Sequence, residues 1–89
     1  MAVDESFETQ KINFNAQTPV MVRFDAQVDK VYLRTTADCF IDFDQEAGKE
    51  SGFLLKPTDG IKDFSLTCVW VSVIGDKESG TLYIGGARK

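Results

Sequence analysis

Apolar residues in this chain recur at every second position, and no stretch sustains a repeat of three to four. A period of two belongs to strands with one buried face, so the chain is confined to all-β architectures. The pattern is cleanest from Val20 to Ala26, where Val20, Val22 and Phe24 point one way and Met21, Arg23 and Asp25 the other. Two further rows follow closely. Val31, Leu33 and Thr35 oppose Tyr32, Arg34 and Thr36; then Cys39, Ile41 and Phe43 oppose Phe40, Asp42 and Asp44. Ala37-Asp38 is short and polar enough for a turn, so the spacing predicts a hairpin over Val31–Phe43.

The remaining segments extend the same grammar. Residues 5–14 read as a weak edge strand carrying Phe7, Ile12 and Phe14, and N-A-Q-T-P at 15–19 reads as a turn. The longest polar loop is 44–52. It is followed by the short apolar run Phe53–Leu55 and a Pro57–Gly60 turn. Apolar character resumes at 61–66, with Phe64 and Leu66 on one face. Gly75–Gly80 reads as a hairpin loop, 81–84 as the last strand and 85–89 as a flexible basic tail. About eight short strands with frequent turns predict a small antiparallel β-sandwich or barrel. A chain of 89 residues makes one domain, 1–89, with a limited core.

Val69–Ile74 is apolar on both faces: Val69, Val71 and Val73 on one, Trp70 and Ile74 on the other. Such a strand is either central and covered twice or covered by another chain, and in so small a domain the second is expected. Aromatic residues outside the main apolar rows add to this. Tyr32, Phe40, Trp70, Ile74 and Tyr83 are the expected protein-interface residues. A sugar-stacking platform is the alternative, with Trp70 at its centre; the aliphatic neighbours favour protein.

Composition bounds the function. The net charge is −4, which argues against nucleic acid and against an anionic membrane surface as partners. No apolar run reaches the length of a membrane span, and the acidic start M-A-V-D-E-S carries no evident signal peptide. There is no histidine, no G-x-S-x-G elbow, no phosphate-binding loop and no C-x-x-C pair. The chain is therefore expected to be no enzyme and to need no cofactor or metal. D-F-D-Q-E-A-G at 42–48 partly matches a calcium loop. It has Ala47 where glycine is required and Phe53 where a bidentate glutamate belongs, so a solvated acidic face is the plainer reading. Cys39 and Cys68 are expected to be buried free thiols.

From Val31 onward the chain resembles a family of small bacteriophage virion proteins. The resemblance rests on T-A-D-C-F-I-D-F at 36–43, F-L-L-K-P at 53–57, Phe64, V-S-V-I at 71–74 and S-G-T-L-Y-I at 79–84, in that order. Thr67-Cys68-Val69 stands where that family often has a Pro-Gly-like turn, leaving open whether 63–74 is one strand or two. Residues 1–30 fall outside the resemblance and would form an extra strand pair or an arm. The resemblance implies a non-enzymatic β-sandwich, often trimeric, that decorates or cements the head shell by binding major capsid protein. A tail, collar or fibre accessory is the other location it allows.

Overall fold

The computed structural model describes residues 7–88. It is an antiparallel β-sandwich of eight strands: β1 (Phe7–Phe14), β2 (Val20–Val28), β3 (Lys30–Thr35), β4 (Cys39–Phe43), β5 (Phe53–Leu55), β6 (Lys62–Phe64), β7 (Cys68–Gly75) and β8 (Gly80–Ala87). A single 3-10 turn, Pro57–Asp59, lies between β5 and β6. One sheet has the order β1-β8-β3-β6 and the other β2-β7-β4-β5.

These orders correspond position by position. β1 and β2, β8 and β7, β3 and β4, and β6 and β5 are each consecutive in sequence and occupy the same rank in the two sheets. These four connections are arches, in which one strand feeds its successor in the opposite layer, whereas the 44–52 loop joins β4 to its in-sheet neighbour β5. The expected hairpin over Val31–Phe43 is one of these arches: β3 bonds to β8 and β6, and β4 to β7 and β5. The Gly75–Gly80 loop is another, not a hairpin loop. The physical reason is visible at the corner. Ala37 is buried, and the Thr35 hydroxyl donates to the Ala37 carbonyl at 2.7 Å, so the chain turns inward across the gap. The rows Val31/Leu33/Thr35 and Cys39/Ile41/Phe43 then line the interior from opposite sheets.

Two corners brace each other. Thr36 N–H donates to the Thr81 carbonyl at 3.1 Å, and Thr81 N–H donates to Thr36 Oγ1 at 2.9 Å. Asp76 N–H donates to the Asp38 carbonyl at 3.0 Å. The T-A-D and S-G-T segments of the family-like pattern therefore meet at one end of the sandwich.

The N-terminal strands belong to the body. β1 pairs with β8 from Phe7 to Phe14, and β2 pairs with β7, so 7–28 supplies two strands, one to each sheet, and is not an arm; residues 1–6 lie outside the described residues. The 63–74 stretch is two strands in different sheets, β6 and β7. The expected tail is also structure. Gly85–Ala87 completes β8 and pairs with both β1 and β3. Gly86 faces the core, where a Cβ would come within 2.7 Å of Phe24 Cε1 and 2.8 Å of Val28 Cγ1. Lys89 lies outside the described residues.

Beyond Gly86, Arg88 closes the seam between the sheets. Its Nη2 lies 2.5 Å from Glu8 Oε1 and 3.3 Å from the Ala26 carbonyl. The Glu8 carboxylate also accepts Asp25 N–H, and Gln10 Nε2 donates both to Glu8 and to the Arg23 carbonyl. These side chains satisfy the backbone of β2 where its register against β7 shifts between Arg23 and Val28.

Candidate functional site

The five expected interface residues divide between the two outer faces. Tyr32 and Tyr83 stand on the β1-β8-β3-β6 face; Phe40, Trp70 and Ile74 stand on the other. They therefore form no single patch.

On the β2-β7-β4-β5 face the chain covers much of itself. β7 is central, and Ser72, its one polar outward residue, is 1% exposed. Its hydroxyl accepts Ala47 N–H at 2.9 Å and donates to the Val20 carbonyl at 3.2 Å. This pins the 44–52 loop over the strand, with Ala47 buried beneath it and Lys49 Nζ donating to the Asp76 carbonyl. Ile74 is left 7% exposed and is removed as a contact residue, while Phe40 and Trp70 are half-buried. The second apolar face of β7 is thus covered largely by its own loop, which corrects the expectation of a partner chain there. Ser72→Ala should cost about 1–3 kcal/mol by leaving the Ala47 N–H without its acceptor. Urea unfolding measures the loss, and increased hydrogen exchange at 44–52 locates it.

Asp44 ends β4 with φ at 57°, in the left-handed region that aspartate tolerates better than most residues. Its Oδ1 accepts the N–H groups of both Val69 and Trp70, at 2.8 and 3.2 Å. Two successive N–H groups aimed at one oxygen break the strict alternation of β7. Cys68 consequently joins the core in place of Val69, which is half-buried. Asp42 accepts from Phe43 N–H and Gln45. Among the described residues no group of three or more acidic, cysteine or histidine side chains is placed to hold a metal ion.

Both cysteines are free and buried. Burial, opposed by the Thr35 hydrogen bond and aided by Asp38, pushes the Cys39 thiol up to about 11. Burial and the Asp44 charge push Cys68 up to about 11 as well. Alkylation by iodoacetamide at pH 8 should therefore be negligible in the folded state and complete in urea. An unfolded thiol ionises near 9.0, so the folded state loses stability as pH rises above that value.

The β1-β8-β3-β6 face is open. Cross-strand register places Lys11, Tyr83 and Arg34 in one row and Thr9, Gly85, Tyr32 and Asp63 in the next. The Arg34 guanidinium lies 4.4 Å from the Tyr83 ring centroid, and Lys30 lies 5.6 Å from that of Tyr32. Phe7, 57% exposed, tilts against Tyr32 with centroids 6.0 Å apart. Between these rows is a shallow hollow of about 260 Å³, floored by Gly85 and flanked by Tyr83, Arg34 and Ile61, the last 71% exposed. Sequence reading found the two tyrosines but neither Ile61, which sits outside a strand, nor Gly85, which carries no side chain to alternate.

Comparison with family models, curated proteins and solved structures finds no match for this chain.

Proposed function

We propose that the chain is a structural virion protein that decorates a bacteriophage capsid and stabilises it by binding assembled major capsid protein, as a homotrimer on the capsid surface. The observation that carries this reading is the ordered pattern from T-A-D-C-F-I-D-F to S-G-T-L-Y-I. Its first and last pieces begin at two arch corners that hydrogen-bond to one another, so the pattern is tied to a specific three-dimensional arrangement. A self-braced sandwich with an open aromatic face suits a protein whose work is contact, not chemistry.

The mechanism is differential affinity. A protein that binds only the assembled, expanded shell lowers the free energy of that state relative to every other, by an amount set by its concentration over its dissociation constant. Three linked copies at a local threefold would raise the apparent affinity without any new contact.

Copy number tests the placement. Quantitative gel densitometry of purified particles of the phage that carries this protein should give hundreds of copies per virion. A count of a few, or a few tens, would move the protein to the tail, collar or fibre; absence from the particle would end the structural-virion reading.

A further inference from the structure

We infer that the outer face of the β1-β8-β3-β6 sheet is a docking surface for an extended acidic peptide segment bearing aliphatic side chains. The chain has 14 acidic residues and a net charge of −4. The one carboxylate pointing outward from these four strands is Asp63, already paired with Lys30 at 3.2 Å. Lys11 and Arg34 flank Tyr83 in one cross-strand row, and neither has a carboxylate partner among the described residues. A cationic, aromatic face on an acidic protein attracts acidic partners.

Size then selects the partner's form. Four strands about 4.8 Å apart, over about 20 Å of strand, make a face of roughly 400 Å². A stable globular interface takes about 800 Å² from each partner. The face is therefore too small for a globular partner alone and well sized for a peptide segment. The hollow between Tyr83, Arg34 and Ile61 fits an aliphatic side chain, while Lys11 and Arg34 meet carboxylates on either side. This rests on the reading above only for the source of the segment, a shell protein; the face's chemistry is tested without it.

The probe is the blocked hexapeptide Asp-Leu-Glu-Asp-Leu-Glu, titrated to millimolar concentration against the isotopically labelled full chain and followed by amide NMR shifts. Saturable shifts are expected at Thr9, Tyr32, Arg34, Tyr83 and Gly85. The counterpart Lys-Leu-Lys-Lys-Leu-Lys should bind at least about tenfold more weakly. In the double variant Lys11→Glu/Arg34→Glu, both exposed positions, the preference should reverse, with the dispersed spectrum of the folded chain retained. No saturable shift, equal response to both peptides, shifts centred on Arg23 and Trp70, or an unreversed preference would each overturn the inference. Concentration-dependent shifts on this face without peptide would also overturn it, by assigning the face to a second copy. Failure of the copy-number experiment would sink the shell source and leave these outcomes standing.

Discussion

Phe24→Ala should lower the unfolding free energy by about 3–5 kcal/mol, the largest effect expected from a single truncation in this chain. Phe24 is 2% exposed and its ring lies against Gly86, which has no Cβ to stand in the way. Removing the ring opens a cavity next to a glycine, and β8 is held there by β1 on one side and β3 on the other, so the backbone cannot collapse to fill it. The reverse change tests the same contact. Gly86→Val places atoms within 2.7 Å of Phe24 Cε1 and 2.8 Å of Val28 Cγ1, and overpacking of this kind costs about 1–3 kcal/mol or more. Chemical denaturation of both variants measures the two effects. Wild-type stability for Gly86→Val would mean that Gly85–Ala87 is a loose end after all.

Arg88→Ala should cost about 1.5–3 kcal/mol, because it leaves the Glu8 carboxylate half-satisfied in a seam where its side chain is 14% exposed. The pH dependence identifies the interaction. Desolvation alone would raise the Glu8 carboxyl. The hydrogen bonds from Arg88, Asp25 N–H and Gln10, with the Arg88 charge, outweigh it and hold the group below its ordinary value of 4.5. The unfolded chain therefore takes up the proton first as the solution is acidified. The stabilisation is complete above about pH 4.5 and is lost as pH falls through the lower folded value. Arg88→Ala should flatten this acid limb; a limb unchanged in the variant would assign it to other carboxylates.

Alternation carried most of the fold into view. Val20/Val22/Phe24, Val31/Leu33/Thr35, Cys39/Ile41/Phe43 and Leu82/Ile84 all face the interior as their period implies. What alternation could not convey is which layer each row belongs to. A hairpin and an arch both join two alternating runs by a short turn, and the choice over 36–38 depends on Ala37 turning inward and on a brace from Thr81, 45 residues away. Glycine carries no pattern at all, so Gly85 and Gly86 read as a tail although they lie in a strand between two others. The candidate site was legible in part for the same reason. Tyr32 and Tyr83 are outward and share a face. Phe40, Trp70 and Ile74 are outward on the opposite one, where a loop of polar composition, docked by Ser72, takes the place expected for a partner.

The loop also explains why the two faces differ. Asp42, Asp44, Glu46 and Glu50 lie on or beside the 44–52 loop, so acidity gathers over β7 and β4, and the other sheet carries aromatic rings with Lys11 and Arg34 beside them, neither in an ion pair among the described residues.

The proposed role requires that this chain recognise an assembled shell. The most direct measurement mixes the purified protein with undecorated expanded capsids, and separately with unassembled major capsid protein, and sediments both. Saturable cosedimentation with the expanded capsids at micromolar concentration, and none with the free subunits, is the predicted result. No cosedimentation with capsids, or equal binding to free subunits, would contradict it.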